Sequence, residues 1–532
     1  MKRSKRYNRH ESLISYSESR NLLMEVECDD LNYPNNHNNM PDNNDNSNNK
    51  DSIDTEYNTT TYTIEQAVET AGLGWFQLKL IVMVGVLSAA DAMEMLLLSI
   101  LGPALQCEWH LSSEQKALLT TIVFIGFFMG SFFWGMVSDN YGRKTTFLIV
   151  ISLISYNGFI TSFSPTYIWV ILLRCFVGFG IGGAASSFTL LCEFLPSASR
   201  AKVLIAYQVF WACGSTFEVG LAYFVLPRYG WRWIVGLSSV PMILCAVLVL
   251  FLPESPRFLL NVGKLEKSQK IINKMLTVNG KQLMKGRLIS SGKVQKFSIK
   301  NLFLQEYRCT FLLLLILWFG VTFSYYGIVL LNAEFFNLHN TCYQASTTAN
   351  FEHRGNLTFH DNSCCKELGS EDYKSMLLSS FGEFFIIPIN FFLVDLIGRK
   401  GTMASSLFLT SAFFLLLYKC MPHIWATVLM FGIRGCTSGI FNVTYIYTSE
   451  VFPTSVRSSA TGMCSSFARI AAILTPFVAQ VLIPQTSMIV GLVVYSSVAF
   501  VCFISVACLP IETKGRAMPQ NFKEIEIEME TK

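Results

Sequence analysis

Ionisable residues stand inside apolar stretches of the chain, where each needs a partner or a function. Asp91 and Glu94 lie three positions apart in "LSAADAMEMLLLSI", and Arg469 lies in "SSFARIAAILTPF" with no acid within four positions. Residues three apart share one face of a helix, and two acids on one face repel, which suits one of them to accept a proton. Arg469 must find its counter-ion elsewhere in the fold or in a ligand. These residues predict proton transfer and ion binding.

Two more acids, Glu218 and Glu383, also fall within apolar stretches and are candidate site residues, because an unpaired charge inside a bilayer is expensive. Two alternatives stay open. Asp91 and Glu94 could lie in water at an outer mouth. Arg469 could form a structural ion pair with Asp91, Glu94 or Glu383.

The elements that hold these residues are predicted to be membrane helices. Of 532 residues, 51% are hydrophobic and 15% are charged, and the mean hydropathy is +0.39. Average soluble domains carry about 25% charged residues, and apolar runs of about 20 residues match the thickness of a bilayer. Twelve such runs are predicted between residues 78 and 509, with the fourth and fifth interrupted by charge and glycine. The fold predicted is an all-α membrane protein.

Nothing in the sequence predicts an enzyme, a cofactor, a metal site or a nucleic-acid partner. "GFGIGG" matches a dinucleotide-binding pattern but lies in an apolar run, where small residues serve helix packing. The fifteen cysteines include no C-x-x-C pair and show no zinc spacing.

Lysine and arginine predict the orientation. They concentrate between the sixth and seventh runs, so the positive-inside rule puts this loop and both termini in the cytosol. The outward loop then holds a glycosylation sequon at Asn356 and three cysteines able to pair: Cys342, Cys364 and Cys365. The predicted segments are a disordered, Asn-rich tail (1–75), a six-helix bundle (76–252), a basic central loop (253–308), a second six-helix bundle (309–510) with the outward loop 336–374, and a cytosolic tail (511–532).

The two halves repeat each other. Asp-x-x-Gly-Arg-Lys occurs at Asp139 and again at Asp395, and Glu-x-x-Pro-x-x-x-Arg occurs at Glu193 and Glu450. Two repeated bundles joined by a basic loop are typical of transporters that alternate between two states. We expect the acids to close the cytosolic side against nearby arginines, with Asp139 contacting Arg174 or Arg143, Glu193 pairing with Arg200, and Glu450 with Arg457. The predicted gating residues are Asp139, Arg143, Arg174, Glu193, Arg200, Asp395, Arg399, Arg434, Glu450 and Arg457.

These motifs resemble the major facilitator superfamily over about residues 70–515, and "SAADAMEMLLLSILGPALQCEW" resembles its synaptic-vesicle-2-related branch. The resemblance implies the major facilitator fold, with twelve transmembrane helices in two pseudo-symmetric bundles. It also implies a cavity near the middle of the membrane. In organic-ion carriers of this superfamily the eleventh span carries an arginine where the substrate is an anion, which implies that Arg469 binds a substrate carboxylate.

The function predicted is secondary active transport of a small organic anion, with proton coupling through Asp91 or Glu94. Two alternatives remain open: a vesicle-membrane binding or regulatory protein that moves nothing, and an organic-cation carrier that uses Asp91 and Glu94 as counter-ions. An acidic dileucine pattern (Glu18, Leu22 and Leu23) fits the branch resemblance and predicts sorting adaptors as partners and an intracellular vesicle as the location.

Overall fold

Two bundles of long helices form the protein. The computed structural model describes residues 61–289, 305–348 and 369–514, apart from 420 and 453. The first bundle contains α2 (Trp75–Trp109), α3 (Ser113–Tyr141), α4 (Arg143–Thr161), α5 (Tyr167–Ile181), α6 (Ala185–Glu193), α7 (Ser197–Tyr229) and α8 (Trp231–Val249). It is preceded by β1 (Thr61–Tyr62) and α1 (Ile64–Ala71).

The second bundle begins after a short connecting subdomain made of α9 (Pro256–Asn261), α10 (Leu265–Val278) and β2 (Arg287–Leu288). Its helices are α11 (Gln305–Thr348), α12 (Ser370–Ser380), α13 (Gly382–Leu396), α14 (Gly398–Leu416), α15 (His423–Val451), α16 (Thr454–Phe477), α17 (Ile483–Gln485) and α18 (Met488–Ala507). A π-helical turn (Val478–Leu482) joins α16 to α17.

Ten membrane spans in the described residues are long and apolar enough to cross a bilayer. The remaining two predicted spans are α5 with α6, which a turn after Ile181 separates, and α14. The fourth span is therefore interrupted as predicted, whereas the fifth, α7, is a continuous helix. Together these segments give six spans in each bundle and confirm the predicted fold class.

Glycines let α3 and α5 lie in backbone contact. A methyl group on Gly126 or Gly130 would collide with the backbone at Cys175 or Phe179, and one on Gly178 would collide with Val123. Gly178 begins the "GFGIGG" stretch, so its small residues serve helix packing, as predicted.

The prediction that residues 1–75 are disordered is wrong for residues 61–72. Thr63 and Gln66 form a capping box at the start of α1, and the apolar side chains of α1 are buried on one face. β1 pairs in parallel with β2, and Asn279 at the end of α10 donates to the carbonyl of Ala71 at 3.1 Å. A capped amphipathic helix thus ties the start of the first bundle to the connecting subdomain.

The predicted outward loop is shorter than 336–374, because α11 continues to Thr348 and α12 begins at Ser370. Asn356, Cys364 and Cys365 lie outside the described residues, and so do Glu18, Leu22 and Leu23. Cys342 lies in α11 without a described side chain. Cys107, close to the end of α2, is disulfide-bonded, which the sequence analysis did not predict.

Candidate transport site and gating clusters

A small cavity lies between the two bundles. Its volume is about 10 Å³, which is room for about one water molecule. It is lined by Ala92, Met95, Leu96, Trp211, Ser215, Tyr325, Tyr326, Val329 and Arg434. Arg434 was predicted as a gating residue but lines the cavity, whereas the predicted acids Asp91 and Glu94 on α2 do not. Their neighbours Ala92 and Met95 take that face of the helix.

Arg469 lies on α16 against the first bundle. Its guanidinium carbon is 3.6 Å from the ring centroid of Phe127 on α3, which is a cation–π contact between the bundles. Its Nε is buried without a hydrogen-bond partner, and no described acid lies within ion-pair distance. Tyr326, which lines the cavity, interacts electrostatically with Arg469. The proposed structural ion pair with Asp91, Glu94 or Glu383 is absent from the described residues.

Glu94 forms a buried ion pair inside the first bundle. Arg174 Nη1 donates to Glu94 Oε2 at 2.8 Å, and the two side chains are 1% exposed or less. Of the two partners predicted for Asp139, Arg143 contacts it at 2.8 Å and Arg174 does not. Arg174 stands seven residues into α5, about 10 Å along the helix axis, so it reaches the middle of the bundle.

Two more predicted acids surround this pair. Glu218 on α7 accepts hydrogen bonds from the Ser238 hydroxyl at 2.7 and 2.9 Å and is completely buried. Asp91 is 8% exposed and forms no hydrogen bond or ion pair with another described residue. The alternative that Asp91 and Glu94 lie in water at an outer mouth is therefore wrong. The first bundle encloses three acids beside one arginine.

The second bundle has its own buried pair, and this pair reaches across to the first. Arg434 Nε on α15 donates to Glu383 Oε1 on α13 at 2.9 Å, and each side chain is 1% exposed. Ser215 of the first bundle donates to Glu383 Oε2 at 3.1 Å. Trp211 of the first bundle donates to the Tyr325 hydroxyl at 2.7 Å, and Tyr325 donates to Glu383 at 3.4 Å. Glu383 thus joins the two bundles at the cavity.

One end of the bundles carries both Asp-x-x-Gly-Arg-Lys copies and is called the basic end here. In the first bundle, Arg143 contacts Asp139 at 2.8 Å and Glu193 at 3.7 Å. Arg200 instead donates to the carbonyl of Leu195 at 3.0 Å, so the predicted pairing of Glu193 with Arg200 is wrong. The two residues lie on either side of the turn from α6 to α7, which directs Arg200 back to its own backbone.

In the second bundle, Arg399 donates two hydrogen bonds of 3.0 Å to the carboxylate of Glu450. The side chain of Arg457 is not described, so its predicted pairing with Glu450 stays a prediction. Asp395 instead approaches Lys202 of the first bundle at 4.0 Å, with both side chains more than half exposed. Among the described side chains, this exposed contact is the only ion pair by which a predicted basic-end gating residue reaches the other bundle.

Sequence analysis missed two acids, each of which holds one copy of the basic motif. Glu254 accepts from the backbone N–H groups of Arg143 and Lys144, and Glu512 accepts from those of Arg399 and Lys400, at 2.8–3.1 Å. A carboxylate at a helix N-terminus satisfies free N–H groups and interacts favourably with the positive end of the helix dipole. The signal was present, since "PESPR" and "PIETKGR" follow the last span of each half.

The opposite end of the bundles carries an ion pair that sequence analysis also missed. Lys116 on α3 forms a buried ion pair with Glu334 on α11, and Lys116 also donates to Gln106 at 2.8 Å. Both charges lie near the ends of their apolar runs, where charged residues are expected in any membrane protein. The sequence held no signal that would separate them from ordinary flanking charges.

Comparison with known proteins identifies the family that has this architecture. The family model described as "Sugar (and other) transporter" matches residues 43–337, and the model described as "Major Facilitator Superfamily" matches residues 366–527. The chain belongs to the major facilitator superfamily. It is 43% identical over 461 residues to the Synaptic vesicle 2-related protein of Bos taurus, covering 87% of this chain and 83% of that protein.

Solved structures agree on the fold. The xylose transporter XylE from E. coli, in a partially occluded inward open conformation, superposes with a TM-score of 0.63 at 16% identity, covering 83% of this chain and 99% of XylE. XylE described as a proton:xylose symporter bound to 6-bromo-6-deoxy-D-glucose gives 0.57 at 17% identity, with 83% and 98% covered. The chain is thus a multi-pass membrane protein of a transporter superfamily, and the predicted class and fold are confirmed.

Proposed function

We propose that the chain is a secondary active transporter of a small organic anion, such as a carboxylate, that works by alternating access with protons as the coupling ion. The observation that carries the anion assignment is Arg469, whose Nε is buried without a hydrogen-bond partner and whose guanidinium has no acidic partner among the described residues. A bare charge in a bilayer costs several kcal/mol, which an anionic ligand would offset. The ring of Phe127 compensates only part of that cost.

The walls of the cavity fit such a ligand. Trp211, Tyr325 and Tyr326 line it, and the hydroxyl and indole groups are polar within an aromatic surface. Aromatic walls with a few convergent polar groups are typical of small-molecule sites. The basic-end clusters and the Lys116–Glu334 pair are proposed as the two gates. One gate opens while the other holds, which is alternating access.

Proton coupling is proposed for the acids of the first bundle. Glu94 Oε1 has no hydrogen-bond partner, and Arg174 leaves two buried nitrogens unpartnered, so this pair has room for a proton to bind and reorganise it. Asp91 and Glu218 lie beside it. XylE, which belongs to the same superfamily, is described as a proton:xylose symporter, and this supports proton coupling in this chain.

The test is uptake of labelled small carboxylates into proteoliposomes that contain the purified chain. Removing a charge-assisted contact is worth roughly 1.5–3 kcal/mol, so Arg469→Ala should lower the apparent affinity about 10- to 100-fold. Arg232→Ala is the matched control, because Arg232 pairs with Glu108 outside the cavity. Unchanged anion uptake by Arg469→Ala would remove the assignment. Glu94→Gln should abolish stimulation of uptake by a proton gradient.

A specific observation supports a second candidate, the organic-cation carrier. Asp91 is a buried acid without a partner among the described residues, and a ligand cation would offset the cost of its charge. Cation uptake that Asp91→Asn abolishes, with no carboxylate uptake, would favour this function. Absence of flux for both classes would favour a non-transporting vesicle-membrane protein. We also propose cytosolic termini and a vesicle location, which imaging of tagged protein would test.

A further inference from the structure

We infer that Arg434, which lines the cavity, is an anion-binding group in addition to Arg469 and that Glu383 is its built-in competitor. Glu383 holds Arg434 as a carboxylate; once it takes up a proton, an anionic group of the substrate can replace it. This inference rests on the proposed function, because it assigns a further binding group and a proton-dependent step to the same cavity.

Arg434 meets the requirements for a ligand-binding group. It lines the cavity, its side chain is 1% exposed, and its Nη2 is buried without a hydrogen-bond partner. A guanidinium binds carboxylates through two parallel N–H groups, and in the described structure only Nε is committed, to Glu383 Oε1 at 2.9 Å. Arg434 therefore keeps a donor available to an incoming anion.

Glu383 is placed to give up Arg434 without losing its other contacts. The groups that face it are Arg434 on α15, Tyr325 on α11, and Ser215 on α7. A protonated carboxyl both donates and accepts, so it can keep the hydroxyl contacts while its attraction to the guanidinium disappears. Protonation adds one proton to a carboxylate oxygen, and no covalent bond to carbon changes.

Arg174, Arg434 and Arg469 are thereby distinguished. Arg174 is paired with Glu94 but does not line the cavity. Arg469 has no acidic partner among the described residues. Arg434 alone lines the cavity and is paired with an acid that also contacts the other bundle. An anion that takes the place of Glu383 on Arg434 would therefore change the charge at a contact between the bundles, which links binding to their movement.

The experiment measures binding of benzoate, a flat carboxylate, to the full-length purified protein by calorimetry at about pH 5.5 and about pH 7.5, where benzoate itself stays ionised. Wild-type affinity should be higher at the lower pH, because proton uptake by Glu383 releases Arg434 for the anion. Glu383→Gln should bind about tenfold more tightly than wild type at the higher pH, with little dependence on pH, because its amide cannot hold Arg434 as an ion. Glu108→Gln is the matched control and should behave as wild type.

The double variant Glu383→Gln/Arg434→Gln removes both charges, so no buried ion is left unpaired and the fold is kept. It should lose the gain in affinity. The inference is overturned if Glu383→Gln binds benzoate no better than wild type, if neither binds it, or if the double variant binds as tightly as Glu383→Gln. Failure of the proposed function looks different, since the wild-type protein would then take up no labelled carboxylate in proteoliposomes, whereas failure of this inference leaves that uptake intact.

Discussion

The two bundles are nearly alike at the basic end and differ at their centres. At the basic end each has a Gly-Arg-Lys turn, an acid that accepts from the next helix N-terminus, and an arginine that contacts a second acid. The lysines repeat as well: Lys144 donates to the carbonyl of Leu250, and Lys400 to that of Leu509.

At the centres, equivalent arginines pair with acids in different places. Arg174 pairs with Glu94 on the first helix of its bundle, and Arg434 pairs with Glu383 on the second span of its own. The first pair stays inside its bundle, beside Glu218 and Asp91. The second lines the cavity and contacts the other bundle.

This difference separates the residues that maintain the fold from the residues that serve the function. A duplicated bundle needs the same turn and the same helix caps twice, because both copies bend the chain in the same way. The charges inside the membrane do not form these turns, so their positions could differ between the halves according to what each half binds. The asymmetric residues are therefore the ones on which function should depend.

The largest effect is expected from breaking the central pairs. Arg174→Gln strands Glu94 in the interior and should destabilise the protein by about 3–5 kcal/mol, whereas Arg434→Gln should cost less because Glu383 keeps Ser215 and Tyr325. Thermal unfolding in detergent measures both. Glu94→Gln/Arg174→Gln should recover most of the loss. Equal destabilisation by the two arginine variants would contradict the proposed difference between the bundles.

A middle effect is expected at the turns that the bundles share. Gly142 and Gly398 have φ values of +101° and +81°, and a methyl group there would press on Glu254 or Glu512. Alanine at either position should therefore destabilise by about 1–2 kcal/mol, and by similar amounts in both halves. Gly135→Ala, four residues before the first motif, is the control: Gly135 has open space in a helix, so alanine there should be neutral or stabilising. A large effect in only one half would break the symmetry.

The smallest effect is expected from the basic-end ion pairs. Arg399 and Glu450 form a bidentate pair that is 14% and 12% exposed, so a double-mutant cycle should give a coupling of about 1–2 kcal/mol. Arg143 and Glu193 lie 3.7 Å apart, and their coupling should stay below about 1 kcal/mol. Chemical unfolding of the four variants in each cycle measures the two values. A larger coupling in the first bundle would reverse the comparison.

Sequence reasoning found most of the buried charges but paired several of them incorrectly. Asp91, Glu94, Glu218 and Glu383 were found because a charge in an apolar run is conspicuous, and all four are buried. Their partners were not predictable, since Arg174 and Glu94 are far apart in the chain and meet only when α2 and α5 pack together. Arg434 was grouped with the gating residues because it repeats Arg174, and that analogy was misleading for both.

Local order was also underestimated. The strand and helix before α2 stand at the edge of a polar tail, and composition there suggested disorder. The Thr63–Gln66 capping box and the spacing of Ile64, Ala67 and Val68 were readable, but the surface that covers them is supplied by α10 and β2, more than 190 residues later.

The sequence by itself determined the membrane class, the number of spans, the duplication and the turn glycines, because hydrophobic length, repeated motifs and backbone conformation are local properties. The tertiary structure decided which charge meets which, which arginine lines the cavity and which acids cap the turns. Coulomb attraction and hydrogen bonding fall off within a few ångströms, so these choices exist only once distant helices are packed side by side.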